Sequence, residues 1–269
     1  MELTFAMQFM TANASVSASS RQAVLIAVAV SAGLAWSSLS GDLLRPLLRP
    51  SLPQAALAAF PYLYSALVSL LDIVVMLAVI SLAAAHSPGK LLKDSGIAKS
   101  PRVALLWCLV WLAPAVLVCL MFGSVAERIL AVDVIWLSLG SPLGEELLFR
   151  GLAVGALVRL CGWRWWAGCL WPALFFGITH AGQGSDPESV VGVVAITAAG
   201  GLLFGWLFVR WQFNLWPPVL LHVGLNALFL VFAWGDSALL GWFGSAVRLG
   251  VVLLAIVATL RMCPGSTLR

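Results

Sequence analysis

Long apolar runs, broken by short polar segments rich in Pro, Gly, Ser and charge, alternate along the whole chain. About twenty consecutive apolar residues suffice to carry a helix across a bilayer, whose hydrocarbon core is about 30 Å thick. On that length criterion, helical spans are expected at about 22–39, 58–85, 103–123, 129–158, 165–181, 189–209, 213–234 and 246–262. The fold class predicted is all-α, a polytopic membrane protein with about eight transmembrane helices. Residues 1–20 form a polar, Ser/Ala-rich leader without a strongly charged start, so the first apolar run reads as a membrane helix and not as a cleaved signal peptide. A Pro-containing loop with Arg45, Arg49, Pro50 and Pro53 should follow that span.

Composition agrees with this class. The 269 residues are 62% hydrophobic and 10% charged, against about 25% charged in soluble domains. The net charge of +4 is spread over the loops without a basic stripe, which argues against nucleic-acid binding. The basic residues are better read as topology signals. Residues 87–102 hold Lys90, Lys93, Lys99 and Arg102 against Asp94 alone, the strongest cytoplasmic marker in the chain. With both termini cytoplasmic, ten of the fifteen basic residues fall on the inner side. The acidic 182–188 loop then falls outside. The five cysteines contain no C-x-x-C pair and read as packing residues.

Charge inside the apolar runs is the exception that points to function. Glu145, Glu146 and Arg150 share the fourth run, and ionisable groups within a membrane mark functional sites by default. On a helix, Glu146 and Arg150 are i, i+4 neighbours on one face. Glu145 lies about 100° round from Glu146. The spacing therefore assigns Glu146 to an ion pair and leaves Glu145 for chemistry; a purely structural pair locking two helices is the simpler alternative. Gly140-Ser141-Pro142 just before the pair suggests a broken or kinked helix beside a wet site. Gly151 and Gly155 form a small-x-x-x-small pair suited to helix packing. Asp72, alone in the second span, is expected to make an interhelical hydrogen bond.

Two further pairs lie on separate helices. Phe176 and His180 are i, i+4 in the fifth span, as are His222 and Asn226 in the seventh. His86 sits beside the basic loop and reads as surface. Taken together, Glu145-Glu146-x-x-x-Arg150, Phe176-x-x-x-His180 and His222-x-x-x-Asn226 resemble the three motifs of the CAAX-protease and bacteriocin-processing (CPBP) family of glutamic intramembrane proteases, related to the Ras-converting CAAX endopeptidases. The resemblance covers about residues 130–230. It implies a catalytic membrane core at 129–235 on spans 4, 5 and 7, preceded by a three-span region (1–128) and followed by a last span and tail (236–269).

The activity implied is an intramembrane endopeptidase acting on a membrane-associated protein or peptide. Glu145, poorly solvated as an anion among apolar helices, would take a proton from the attacking water. His180 would hold that water, and His222 and Asn226 would donate to the oxyanion. Glu146 with Arg150, and Phe176, would support them. No cofactor is implied; a His₂Glu zinc set of Glu145, His180 and His222 is the less favoured alternative, since the chain has no H-E-x-x-H. A non-catalytic scaffold or sensor, or a proton-coupled transporter, could use the same polar cluster. The expected location is a multi-pass position in the cell membrane.

Overall fold

The computed structural model describes residues 19–233 and 241–262; the polar leader, Cys263 and the C-terminal tail lie outside the described residues. The described residues are all-α apart from a two-residue β-pairing. Helix α1 (Ser20–Leu48) begins at Ser19, whose side chain accepts from the Gln22 amide. It continues through Pro46, so Arg45 is helical and not in a loop as expected. Proline removes one hydrogen bond, not a whole helix, when the surroundings favour continuation. After a 3₁₀ turn at Arg49–Ser51, a short α2 (Gln54–Ala59) leads into α3 (Leu63–Ala84). Gly33 of α1 lets the two long helices approach: a Cβ there would lie 2.8 Å from Met76 Sδ. Ser40 of α1 donates to Asp72 of α3 at 3.1 Å, an interhelical bond in the buried seam.

The basic segment is not wholly irregular. Ser87 caps and Pro88 starts α4 (Pro88–Asp94), a Ser-Pro start that favours a helix locally. Helix α5 (Arg102–Phe122) follows, then β1 (Ser124–Val125). The motif-bearing helix comes next and runs unbroken from 131 to 160. Its turns change register: α at Ala131–Asp133, π at Val134–Gly140, α at Ser141–Glu146, and π at Leu147–Val154 and Ala156–Leu160. The Gly140-Ser-Pro142 sequence thus widens the helix and does not break it. Every residue from 146 to 157 is buried, as expected of a helix surrounded by others.

Around this helix stand α6 (Trp165–Thr179), α7 (Pro187–Arg210), α8 (Trp216–Val231), β2 (Phe232–Ala233, antiparallel to β1) and α9 (Gly241–Met262). Asp186 caps α7 in a reciprocal box with Ser189, whose amide and hydroxyl hold the exposed Asp186 carboxyl below the usual carboxylate range. Helices α1, α3, α5, α7 and α9 are long and apolar enough to cross a membrane, α1 together with its 3₁₀ turn, while α8 is shorter. Gly151 packs against Ser95, where a Cβ would lie 2.9 Å from Ser95 Cβ; Gly155 has more room. Cys108, Cys119 and Cys169 are buried packing residues, and Cys161 is partly exposed.

Hydrogen bonds gather the connecting segments at two ends. At one, Trp216 Nε1 donates to the Ile97 and Lys99 carbonyls, Asn214 to Ser100 O, and Lys99 to Gln212 O. Burial first, then the Arg159 charge, holds the Lys99 ammonium below its ordinary range. Arg159 donates to Asp94 O, Gln22 to Ala84 O, and Cys161 to Ala23 O at this end. At the other, β1 pairs with β2, and Tyr62 donates to Asp133 at 2.8 Å.

Candidate active site

The carboxylates follow from one local feature, the wide turn that ends at Ser141. The Ser141 amide donates to Trp136 O, five residues back. Pro142 has no amide hydrogen, so in the same register the carbonyl of Leu137 loses its partner. Asn226 Nδ2 donates to Leu137 O at 2.8 Å. The asparagine of α8 therefore replaces the donor that proline removed, and α8 is drawn against the turn carrying Glu145. Such substitution from a neighbouring helix is what irregular backbone at membrane depth requires.

One turn after Ser141 the two acids diverge. Glu145 is a quarter exposed (25%), whereas Glu146 is fully buried (0%). Ser141 Oγ donates to Glu145 Oε1 at 2.5 Å, which orients the carboxylate and leaves Oε2 pointing at α8. Glu145 Oε2 lies 3.9 Å from His222 Nε2. That is too long for a direct hydrogen bond but short enough for a water to touch both. Glu146 Oε1 lies 3.1 Å from an Arg150 nitrogen, an ion pair with neither partner appreciably exposed. The contact satisfies ion-pair distance but not hydrogen-bond alignment, and Glu146 Oε2 and both terminal Arg150 nitrogens have no hydrogen-bond partner. The guanidinium instead lies over aromatic rings, 4.4 Å from the Phe176 centroid and 5.3 Å from that of Phe204.

His222 is held on three sides. Its Nδ1 is 2.9 Å from Glu146 Oε1, so Glu146 serves the histidine as well as Arg150. Phe204 of α7 stacks on the ring at 5.1 Å and 28°, and Phe176 meets it edge-on at 6.4 Å. With Nδ1–H directed at a carboxylate, Nε2 is the atom left for a reacting group, the arrangement by which a second partner fixes a histidine's role.

His180 is placed differently. It caps the end of α6, its Nδ1 donates to Phe176 O at 2.7 Å, and its ring packs on Phe176 at 4.6 Å. The structure therefore brings Glu145, Glu146, Arg150, Phe176 and His222 into one connected cluster. It places Asn226 on the Leu137 carbonyl and links His180 to the cluster through Phe176. Among the described residues, no group of three or more His, Cys, Asp and Glu is placed to hold a metal ion. Glu145 and His222 face one another, while His180 stands apart at the end of α6, its Nδ1 donating to the Phe176 carbonyl.

Two contributors escaped the sequence reading. Ser141 stands four residues before Glu145, and that helical spacing was the available signal. Phe204 is one aromatic residue within an apolar span, with nothing to distinguish it from packing.

Residues 127–228 match the family described as Rce1-like, Type II CAAX prenyl endopeptidase Rce1-like. This match supports the CAAX-protease (CPBP) family for that segment, which is less than half of the chain. The matched segment contains the whole carboxylate–histidine cluster but neither β-strand, nor α1 to α5 or α9. Together with five helices long and apolar enough to cross a membrane, the match supports an integral membrane protein of the protease class. No curated protein and no solved structure matches the chain.

Proposed function

We propose that the protein is a glutamic-type intramembrane endopeptidase in which Glu145 activates water without a metal ion. The observation that carries this reading is the 3.9 Å gap between Glu145 Oε2 and His222 Nε2, bounded on one side by Ser141 and on the other by the Glu146–Arg150 pair. A water in that gap donates to Glu145, loses its proton there and attacks the scissile carbonyl. His222, when protonated, donates Nε2–H to the developing oxyanion, and Glu146 at Nδ1 offsets the imidazolium charge. The second Nδ2–H of Asn226 is available to the same oxyanion, the first being spent on Leu137 O. Donors of this kind are commonly worth about 2.7–4 kcal/mol each. Protonated Glu145 then returns its proton to the leaving amine as the C–N bond breaks, giving a new carboxylate and a new amino terminus.

The substrate class is a membrane-associated protein or peptide. His180 and its segment close the end of the molecule where β1 pairs with β2, and a basic-inside orientation makes that the outer half of the bilayer. In this reading the chain makes eight crossings, with the motif helix, α6 and α8 added to the five helices that are long and apolar enough by themselves. The termini are then cytoplasmic.

The test compares protein termini in cells carrying the native chain and Glu145→Gln. Unprocessed termini should accumulate only with the variant, and purified native protein should cleave that substrate in vesicles at an unchanged rate after chelation of zinc. Matching sets of termini, with a phenotype only on deletion of the chain, would establish a scaffold. Loss of cleavage on chelation, restored by zinc, would overturn the metal-free mechanism.

A further inference from the structure

A second polar feature lies far from the carboxylates, where α1 ends. Arg45, Arg49, Pro50, Gln54, Leu57 and Pro61 line an open cleft of about 560 Å³. Arg45, in the last turn of α1, and Arg49, which opens the 3₁₀ turn, are four residues apart and both line the cleft. The 3₁₀ turn at Arg49–Ser51 and Pro53 reverse the chain so that Gln54 and Leu57 of α2 form the opposite wall. The cleft is thus a built concavity with two guanidinium groups and one amide on an otherwise apolar lining.

Depth decides what such a cleft meets. At about 1.5 Å per residue, α1 carries Arg45 and Arg49 roughly 36 and 42 Å from Arg21 at its other end. The hydrocarbon core is only about 30 Å thick, and about 40–45 Å with the headgroup layers. With Arg21 at one interface, both arginines therefore stand in the opposite headgroup layer, and α2, too short to span, lies along it. The one acid beside them is Asp42, whose carboxylate is 3.6 Å from Arg45 and is 89% exposed. A pair so exposed contributes little, and Arg45 has a second partner in the Tyr64 hydroxyl.

We propose that this cleft binds the phosphate of an anionic phospholipid. The fork of each guanidinium matches phosphate oxygens, the Gln54 amide supplies a further donor, and Leu57 and the prolines pack against the glycerol end. Bound there, the lipid ties α1 to α2 next to Tyr62, whose hydroxyl bonds Asp133 at the foot of the motif helix.

The probe is phosphatidylglycerol, added to the full-length protein in neutral detergent and counted by native mass spectrometry. Arg45→Ala/Arg49→Ala should lose one bound lipid, with affinity falling roughly 10- to 30-fold. Arg102→Ala, at the opposite end, should not, and phosphatidylcholine should bind all forms equally. Arg49→Gln, with a smaller change of surface, should give part of the loss and guards against misfolding of the double variant, checked by its helical content. Inorganic phosphate in millimolar excess discriminates the source: no displacement identifies the lipid, whereas displacement identifies a site for phosphate from either source. Unchanged phosphatidylglycerol binding in both variants would overturn the proposal.

Discussion

At the residue scale, two adjacent glutamates differ because one faces a gap and the other faces only protein. Glu146 is sealed against Arg150 and His222, while Glu145 keeps a quarter of its surface and a serine partner. Neutralising each should therefore have opposite signatures. Glu146→Gln leaves a buried guanidinium without its counter-charge and turns an amide towards it, the kind of broken pair that costs about 3–5 kcal/mol. Glu145→Gln keeps the Ser141 hydrogen bond and should shift stability by no more than about 1 kcal/mol. Unfolding of both variants in mixed detergent measures the difference. Equal stability losses would show that the two acids share one structural role, and would remove the reason for assigning chemistry to Glu145 alone.

At the element scale, the motif helix shows what was legible in the sequence and what was not. The i, i+4 spacings of Glu146 with Arg150 and of Phe176 with His180 could be read directly, because helical geometry is local. The response to Pro142 could not. A proline within an apolar run is compatible with a break, a kink or a wider turn, and the choice depends on whether another helix can supply the lost donor. Here Asn226, 89 residues away, supplies it. The end of α1 failed for a related reason, since Pro46 reads as a terminator while the helix runs past it. The α6–α7 contact gives a prediction at the same scale. A Cβ on Gly177 would lie 2.6 Å from Val194 O and 3.0 Å from Ala198 Cβ, both on α7. Backbone cannot yield as a side chain can, so Gly177→Ala should cost about 1–3 kcal/mol and, by moving the end of α6, displace His180 and slow proteolysis. Gly200→Ala, which meets open space on α7, is the control and should be neutral or slightly stabilising. Equal behaviour of the two variants in melting and cleavage would show that the α6–α7 approach is looser than drawn.

At the scale of the whole molecule, hydrogen bonds sort the connecting segments into two ends, and charge then sets the proposed orientation. The bonds place residues 22–23, 84, 94–100, 159–161 and 212–216 at one end, and that end carries Arg21, Lys90, Lys93, Lys99, Arg102, Arg159, Arg164 and Arg210 against Asp94. The other end holds Asp42, Glu127, Asp133, Asp186 and Glu188 with four arginines, Arg45, Arg49, Arg128 and, in the first half of α9, Arg248. Lysine and arginine counts near short connections set orientation, so the proposed topology puts the first end in the cytoplasm. Gly89 and Gly182 lie in connections at opposite ends, and a side chain added at either meets open space. In a Cys161→Ser/Cys263→Ser background, a membrane-impermeant maleimide should label Gly182→Cys on intact cells and Gly89→Cys only after the membrane is opened. The reverse result would turn the molecule over and place the His180 end, with substrate approach, on the cytoplasmic side. Labelling of both on intact cells would mean that the two ends share one face, which is incompatible with an odd number of crossings between them.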